Sequence, residues 1–264
     1  MKSISIGQYL PYDTFVHRLD PRVKIIFSIL FMIEIFFVKT FMMYVPLLLI
    51  VAIVIYISKI PIKGIISSMK PIVILLLITS VINVITTPGE ILFSIWKIDF
   101  TKEGIYKALF MMLRIVFIIT VTSILTYTTS PMELTDGLEK LMSPLTKFGF
   151  PAGELAMMIS IALRFIPTLF KETEKIKMAQ MARGADFESG NIIERAKNMI
   201  PLLVPLFINS FKRADELSVA MEARLYRGGE KRTRLNELKL TNADLTILIL
   251  SILAFIIIII VRYI

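Results

Sequence analysis

The sequence predicts an all-α integral membrane protein with about five transmembrane helices, an amphipathic helix and a pair of long cytoplasmic helices. Hydrophobic residues make up 56% of the 264-residue chain and charged residues only 19%, and the mean hydropathy is +0.75. A soluble domain needs a more polar surface than this composition supplies. Several apolar runs approach the roughly 20 residues that a helix needs to cross a bilayer core. One long polar interval, residues 164–229, stands apart from them.

Four of the predicted transmembrane helices lie in residues 1–130, which we predict to form an N-terminal membrane domain. The first begins at about Pro21, because Asp20 can cap the free amides of a first turn and proline is favoured at the first helical position. The polar segment before it lacks the pattern of a cleaved signal sequence, so the run is expected to remain as a span. Trp96, in the loop before the fourth run, is predicted at the bilayer interface. The four runs are 21–39, 41–58, 71–87 and 105–129.

Residues 131–240 are predicted to form cytoplasmic helices, and residues 241–264 a last transmembrane helix. The tetrapeptide Ser130-Pro131-Met132-Glu133 has the spacing of a capping box, with proline in the first turn. Thr241 to Asp244 can cap the final apolar helix, which runs over 245–261. After the capping box, apolar residues recur at helical spacing beside acidic ones, which predicts a surface-lying amphipathic helix. These apolar residues are Leu134, Leu138, Leu141 and Leu145.

Two further apolar stretches, 155–169 and 200–208, are not predicted to span the membrane, because charged residues or prolines interrupt them. With five spans and a cytoplasmic N-terminus, 24 of the 30 Lys and Arg residues fall on the inside. Only five fall on the outside. The positive-inside rule therefore predicts a cytoplasmic N-terminus and an external C-terminus.

Composition and motifs argue against several kinds of chemistry. The chain has no cysteine and one histidine, His17, so disulfides, thiolate metal sites and imidazole metal sites are not expected. It has no phosphate-binding Gly-x-x-x-x-Gly-Lys-Ser/Thr loop, no nucleophile elbow and no His-Glu-x-x-His. Basic cytoplasmic loops explain the net charge of +9 better than nucleic acid does. We therefore expect a non-catalytic membrane protein that holds no cofactor or metal and draws any energy from a partner.

Two arginines close successive helices of the polar interval in the same way. The first helix ends at Ala182-Arg183-Gly184 and the second at Ala223-Arg224-Leu225. An arginine near a helix C-terminus interacts favourably with the helix dipole, so each arginine could simply finish its helix. The repetition of the step, in a protein without a nucleotide site, favours a second interpretation. The planar guanidinium suits carboxylates and carbonyls in a groove of a partner protein, and we predict these six residues as a docking site.

A family resemblance rests on strings spread in order over nearly the whole chain. They are Gly7-Gln8-Tyr9, His17-Arg18-Leu19-Asp20-Pro21-Arg22, Thr128-Thr129-Ser130-Pro131, Leu163-Arg164-Phe165-Ile166-Pro167, Met181-Ala182-Arg183-Gly184-Ala185-Asp186, Arg213-Ala214-Asp215-Glu216-Leu217 and Met221-Glu222-Ala223-Arg224-Leu225-Tyr226-Arg227-Gly228-Gly229. With them the chain resembles the transmembrane T components of energy-coupling factor (ECF) transporters, a family that includes the cobalt-type permease subunits. One departure is Leu225, where the family often has glycine or another small residue.

The resemblance implies a subunit of the prokaryotic cell membrane that works with two ABC-type ATPases, EcfA and EcfA', and with a substrate-binding S component. Arg183 and Arg224 would each enter a groove on one ATPase. ATP-driven closing of the ATPases would move the two helix ends together and reorient the S component, which releases its vitamin inward. ATP and Mg²⁺ would be bound by the ATPases, and this chain would bind no vitamin.

Alternatives remain open at this point. A T component dedicated to cobalt, nickel or biotin is the alternative within the family. A stand-alone secondary transporter belongs to a different class and would be expected to show inverted repeats around a midplane site, which the sequence does not show convincingly. A scaffold unrelated to nucleotides would purify without ATPases.

Two charged residues lie inside predicted spans. Glu34 and Arg114 are each about 14 residues from the inner end of their runs, roughly 20 Å deep at 1.5 Å per residue. Because charges inside spans usually pair, we predict that Glu34 and Arg114 face each other or share a polar partner.

Overall fold

The computed structural model describes residues 9–95, 98–187, 189–226 and 238–263. Helices dominate these residues, and one β-hairpin, with strands β1 Ile91–Ile95 and β2 Ile98–Thr101, joins the fourth helix to the fifth. A short 3-10 helix, Ser143–Phe148, precedes the seventh. The α-helices are α1 Phe15–Arg18, α2 Pro21–Phe37, α3 Phe41–Ser58, α4 Ile62–Thr86, α5 Lys102–Thr128, α6 Pro131–Met142, α7 Ala152–Ala182, α8 Ile192–Ala223 and α9 Asn242–Tyr263.

The chain folds as two compact units. Of the described residues, one unit comprises 141–187 and 189–226 and therefore contains α7 and α8. The other comprises 9–95, 98–140 and 238–263, so that it contains α1 to α5 and the last helix, α9. We call the first the long-helix unit and the second the membrane unit.

Five helices in the described residues are long and apolar enough to cross a membrane: α3, α4, α5, α7 and α9. The all-α membrane class is therefore confirmed, and the number of helices that could span matches the predicted five. By length and composition the set includes α7, because residues 155–169 belong to a longer continuous helix. α2, the first predicted span, has 17 residues and is not in this set, although about 17 residues can suffice to cross a bilayer core.

Prolines lie inside the long helices without ending them. α4 begins at Ile62 and continues through Pro71, where the third run was predicted to begin. α7 continues through Pro167, and α8 through Pro201 and Pro205. An interior proline removes one backbone hydrogen bond and costs about 3 kcal/mol. A helix of 25 to 32 residues keeps most of its bonds and accommodates that loss.

The loop between α4 and α5 contains a hairpin that the sequence analysis did not predict. β1 and β2 pair antiparallel, with Ile95 opposite Ile98. Thr101 joins the hairpin to the next helix, because its Oγ1 accepts a hydrogen bond from the Gly104 amide at 3.1 Å and caps α5. Trp96, predicted at the bilayer interface, lies outside the described residues.

The core of the membrane unit lies where α2, α3 and α5 pack together. Phe31, Leu47 and Val121, one from each helix, are almost fully buried. The rings of Tyr44 and Phe117 stack with centroids 5.5 Å apart. In a bilayer, van der Waals packing of this kind holds helices together, since lipid is as apolar as the side chains.

Polar side chains fasten α9 to the start of α2. The carboxylate of Asp244 is fully buried, and its Oδ1 accepts a hydrogen bond from the Asp20 amide at 2.9 Å. Its Oδ2 accepts bonds from the amide and hydroxyl of Thr241 at 2.9 and 2.6 Å. Asp20 accepts from the Arg22 amide at 2.9 Å, which confirms the predicted cap of α2. The Arg22 guanidinium also donates to the Leu238 carbonyl at 3.2 Å. These bonds fix the two ends of the membrane unit to each other.

Candidate functional site: the arginine ends of two long helices

The carboxyl end of α7 is a Schellman motif with arginine at the C-cap. Arg183 has φ −89° and ψ 6°, and Gly184 follows with φ +88°. The Gly184 amide donates to the Met181 carbonyl, and the Ala185 amide to the Gln180 carbonyl, both at 3.0 Å. These two bonds satisfy carbonyls that the helix end would otherwise leave free.

The carboxyl end of α8 repeats this geometry. Arg224 has φ −89° and ψ 11°, and Leu225 follows with φ +59°. The Leu225 amide donates to the Glu222 carbonyl at 2.8 Å and the Tyr226 amide to the Met221 carbonyl at 3.0 Å. Both helices therefore present an arginine in the same backbone conformation, followed by one residue in the left-handed region.

Leu225 occupies its left-handed conformation at a cost. Glycine adopts a positive φ freely, whereas other residues lose about 1–2 kcal/mol there. The leucine side chain recovers little of this by packing, because the residue is 76% exposed. The departure from glycine at this position therefore leaves the turn intact and adds an exposed apolar side chain beside Arg224.

All six predicted docking residues lie on the surface. Within the described residues no ion pair involves either arginine, so both guanidinium groups keep their donors available. The six docking residues are Ala182, Arg183, Gly184, Ala223, Arg224 and Leu225.

A shallow pocket of about 390 Å³ adjoins the end of α7. Its lining residues are both charged and apolar, and they are Lys177, Met181, Gly184, Ala185, Asp186 and Phe187. Gly184 forms part of its wall, so the pocket opens directly beside Arg183.

An ion pair joins α7 to α8. Nη2 of Arg213 lies 2.5 Å from Oε1 of Glu172. The side chains are 31% and 24% exposed, respectively. The second carboxylate oxygen of Glu172 is buried and accepts no hydrogen bond from the described residues. The contact is therefore a single charge-assisted hydrogen bond at a partly shielded site.

The family string around His17 builds the start of the membrane unit. Nδ1 of His17 lies 2.6 Å from the Thr14 hydroxyl. Burial, reinforced by the positive charge of Lys24, holds the pKa of His17 below its usual value. Lys24 is buried, and its Nζ donates to the backbone carbonyls of His17 at 2.8 Å and of Thr128 at 3.0 Å. Lys24 was not among the predicted site residues, although a lysine one turn into an apolar helix is a detectable signal.

The capping box predicted for α6 is confirmed. The Ser130 amide donates to Oε2 of Glu133 at 3.0 Å, and the Glu133 amide donates to Oγ of Ser130 at 3.3 Å. The string around Arg164 lies in the middle of α7. Gly7 and Gln8 of the first string, and 227–229 of the last, lie outside the described residues.

Glu34 and Arg114 occupy different surroundings. Glu34 is 2% exposed and lines, with Lys24, a largely apolar cavity of about 690 Å³ in the membrane unit. The Arg114 guanidinium lies over the rings of Phe36 and Phe110, at 5.3 and 5.4 Å. No ion pair between Glu34 and Arg114 is found among the residues that the structure describes. Their pairing, directly or through a shared polar partner, stays a prediction.

The chemistry of the candidate site is that of recognition. In the residues that the structure describes, no group of three or more His, Cys, Asp or Glu side chains could hold a metal ion. The two helix ends offer guanidinium donors and a small or apolar flanking residue. Such a pair of ends can bind carboxylates and carbonyls at two separate places on partner proteins.

Comparisons with known proteins match most of the chain. The family model CbiQ, described as "Cobalt transport protein", matches residues 13–235. A protein of Clostridium kluyveri is 54% identical over 247 residues, which cover 92% of this chain and 91% of the relative. A protein of Thermosediminibacter oceani is 50% identical over 246 residues, 93% of this chain and 92% of the relative. One of Bacillus subtilis is 44% identical over 250 residues, 94% of each.

Each of these three relatives is named "Energy-coupling factor transporter transmembrane protein EcfT". The matched region includes α7, α8 and both arginine ends. By the extent of the family match and the identity to these relatives, the chain belongs to the CbiQ/EcfT family of transmembrane T components of energy-coupling factor transporters.

Proposed function

We propose that this chain is the energy-coupling subunit of an ECF-type importer. It links ATP hydrolysis by two partner ABC-type ATPases to uptake of a vitamin through a substrate-binding S component. The observation that carries the proposal is the pair of matched ends, in which Arg183 and Arg224 are exposed in the same backbone conformation on two long, paired helices. A subunit that engages two similar ATPases needs two similar contacts.

Each arginine would act as a docking group on one ATPase. Its guanidinium offers five donors in a planar fork, which pairs with carboxylates and carbonyls in a groove. The described part of this chain offers no nucleotide-binding or catalytic constellation, so ATP and Mg²⁺ would be held by the ATPases. This chain would transmit their movement without catalysing a reaction.

The S component would rest on exposed apolar surface of the long-helix unit. Phe207 and Phe211 lie edge to face, with centroids 4.9 Å apart, and are 67% and 59% exposed. Ile208, beside them, is 62% exposed. Large exposed apolar patches mark contacts with proteins or lipid, and an S component is an apolar membrane protein. We place the chain in the cell membrane with its N-terminus cytoplasmic and its C-terminus outside, as the distribution of basic residues favours.

Charge reversal at both ends tests the proposal. The tagged chain is co-expressed with its two ATPases and S component, as wild type and as Arg183→Glu with Arg224→Glu. The complex is then isolated, and ATPase activity and uptake of a panel of radiolabelled B vitamins are measured. We expect the double variant to lose the ATPases or ATP-driven uptake while the membrane protein remains folded.

A charge-matched control uses the same two helices. Lys175→Glu with Lys212→Glu reverses two exposed cations and is expected to leave assembly and uptake unchanged. An intact, fully coupled complex from the arginine variant would refute the docking role. The two arginines would then serve only to stabilise the ends of their helices.

A second candidate function has one observation in its favour. The matching family model is described as a cobalt transport protein, so the substrate of the assembled importer could be a metal ion instead of a vitamin. Uptake of ⁵⁷Co²⁺, ⁶³Ni²⁺ and biotin by the same complex separates a T component dedicated to one of these substrates from one that serves vitamins generally.

A further inference from the structure

The cavity in the membrane unit is open on one side. It has a volume of about 690 Å³, and residues of α1, α2, α3, α5 and α9 line it. Side chains that are almost fully buried form its floor, among them Phe31 of α2 and Val121 of α5. Lining residues of α3 and α9 are exposed instead, for example Ile53 at 55% and Leu250 at 64%. The mouth therefore lies between α3 and α9, two helices that are long and apolar enough to span a membrane, and the cavity opens toward lipid.

One polar side chain in this cavity has no partner. Of the described residues that line it, five are polar. Nζ of Lys24 donates to two backbone carbonyls, and the hydroxyls of Ser28, Thr128 and Ser251 each donate to a carbonyl of their own helix at 2.8 Å. The fifth is Glu34, which is 2% exposed and has no hydrogen bond or ion pair with any described residue. A buried carboxylate without a partner is costly, so a donor on a bound molecule would stabilise this site.

The cavity is as long as one leaflet of a bilayer. Lys24, Ser28, Phe31 and Glu34 recur at helical spacing along α2, and all of them line it. Lys24 and Glu34 are 10 residues apart, about 15 Å of helix, and half of a roughly 30 Å hydrocarbon core has the same length. Glu34 lies three residues before the carboxyl end of α2. It is therefore close to the level of the lipid head groups in one leaflet.

The size of the cavity favours a single hydrocarbon chain over a helix of a partner protein. A helix 15 Å long and about 10 Å wide takes up about 1,200 Å³, which exceeds the volume of the cavity. Pockets of about 300–1,000 Å³ suit ligands of small-molecule size. One acyl chain of a membrane lipid has this size, the length of a leaflet and the apolar surface that the lining requires.

A cation lies at the same end of α2 as Glu34. The guanidinium of Arg262, on α9, lies 4.7 Å from the centroid of the Phe37 ring. Phe37 follows Glu34 by three residues and therefore lies on the same side of α2. Within the described part of the chain Arg262 forms no ion pair. A carboxylate and, one turn beyond it, a guanidinium are complementary to a zwitterionic head group that carries an ammonium and a phosphate.

We propose that this cavity is a binding site for a phospholipid whose head group carries a primary ammonium, as phosphatidylethanolamine does. One acyl chain occupies the cavity from the level of Glu34 toward Lys24. The ammonium donates to the Glu34 carboxylate, and the phosphate pairs with Arg262. Selectivity comes from the head group, because lipid tails are as apolar as the lining and a chain gains little by leaving the bilayer.

Competition between two lipids with the same acyl chains tests the site. The complete complex is reconstituted in an equal mixture of dioleoyl phosphatidylethanolamine and dioleoyl phosphatidylcholine and transferred to mild detergent. Native mass spectrometry then counts the lipid that stays on this chain after the complex dissociates in the gas phase. The choline head group keeps the phosphate and the positive charge but has no N–H donor. Because a hydrogen bond to a charged group is a strong one, we expect about a tenfold preference for the ethanolamine lipid.

Equal retention of the two lipids, or retention of neither, would overturn the proposal. A second competition replaces the choline lipid with dioleoyl phosphatidylglycerol, which offers hydroxyl donors but carries a net negative charge. The ethanolamine lipid should again be retained preferentially, since its ammonium is opposite in charge to Glu34. A preference for the glycerol lipid would contradict the assigned head group.

Substitutions assign the preference to individual residues. Glu34→Leu is expected to make retention of the ethanolamine and choline lipids equal. Glu90→Leu, the same change at a carboxylate whose side chain is 78% exposed, should leave the preference intact. Arg262→Gln should lower retention of both lipids alike, because both carry the phosphate. A preference that survives Glu34→Leu would refute the role of this carboxylate.

Unfolding of the full chain in detergent separates lipid binding from a structural role of Glu34. Leucine removes the unpartnered carboxylate, so without added lipid Glu34→Leu should unfold at the temperature of the wild type or above it. Added phosphatidylethanolamine should raise the unfolding midpoint of the wild type and not that of the variant. A lower midpoint of lipid-free Glu34→Leu would mark Glu34 as part of the internal packing and contradict the proposal.

Filling the cavity distinguishes a lipid from a segment of a partner protein. Ala254 lines the cavity, and Ala254→Phe places a ring inside it. This variant is expected to lose retention of both lipids while the complex stays assembled. Loss of a partner subunit with unchanged lipid retention would show that protein occupies the cavity, and the lipid site would be wrong.

Discussion

The residue after each arginine has a left-handed backbone conformation, which leads to a prediction about the stability of the helix ends. Gly184 has φ +88°, and a Cβ added to it would meet nothing within 4 Å. Gly184→Ala therefore introduces no steric clash and changes only the backbone preference. Leu225, with φ +59°, already carries that cost, so Leu225→Gly is the inverse experiment.

The expected magnitudes follow from these conformations. A non-glycine residue in the left-handed region loses about 1–2 kcal/mol, so Gly184→Ala should destabilise the last turn of α7 by that amount, a factor of roughly 5–30 in local opening. Leu225→Gly removes the same backbone penalty from the folded helix end. The flexibility of glycine also stabilises the open state, by about 0.5–1 kcal/mol, and offsets part of that gain. The end of α8 should therefore open about two to five times less often.

Amide hydrogen exchange, corrected for intrinsic rates, measures these changes at single helix ends. The Ala185 amide reports on α7 and the Tyr226 amide on α8. Each donates the hydrogen bond of its Schellman motif that reaches back five residues, to Gln180 and Met221 respectively. Gly149→Ala is a matched control, because Gly149 also has φ +84° with nothing within 4 Å of an added Cβ. It should raise exchange locally and leave ATPase docking unchanged. Unaltered protection of Ala185 in Gly184→Ala would refute the strain assigned to these ends.

Three further predictions concern the membrane unit. Asp244→Ala removes a buried acceptor of three hydrogen bonds and should lower stability in detergent by about 2–5 kcal/mol, measured as a fall in the unfolding midpoint, with the exposed Asp215→Ala within about 0.5 kcal/mol of wild type. Lys24→Met leaves a buried carbonyl of Thr128 and a part-buried carbonyl of His17 without their donor and should cost about 2–4 kcal/mol, whereas Lys63→Met at an exposed site should not. Because burial lowers the folded-state pKa of His17, the unfolded chain binds the proton first, so stability should fall as pH drops below about 6.5. His17→Asn should flatten that pH dependence between pH 7.5 and 5.5, and an equal dependence in the variant would contradict it.

Local signals in the sequence predicted the helix starts and the arginine ends. The caps at Asp20, Ser130 and Thr241 involve side chains and amides two or three residues apart, so their bonds follow from spacing alone. The equivalence of the Arg183 and Arg224 ends was likewise visible, because a helix end is decided within one turn.

Other features depend on contacts that spacing does not encode. The bond between the Asp20 amide and Asp244 joins residues 224 positions apart, and the hairpin before α5 pairs strands that carry no strong turn signal. The continuity of α7 through Pro167 reflects the many remaining bonds of a long helix, which outweigh a local penalty. Pairing of Glu34 with Arg114 rests on depth alone and stays a prediction, because depth does not fix the face of a helix on which a side chain lies.

Site-specific crosslinking at the arginine ends tests the central claim most directly. Because the chain has no cysteine, Ala182→Cys and Ala223→Cys each introduce one reactive thiol next to an arginine, and Ala162→Cys, exposed in the amino-terminal half of α7, is the control. With a short thiol-to-amine crosslinker in the intact complex, position 182 should join to one ATPase, position 223 to the other, and position 162 to neither. Absence of ATPase crosslinks at both 182 and 223, or equal crosslinking from 162, would contradict docking through the two arginine ends.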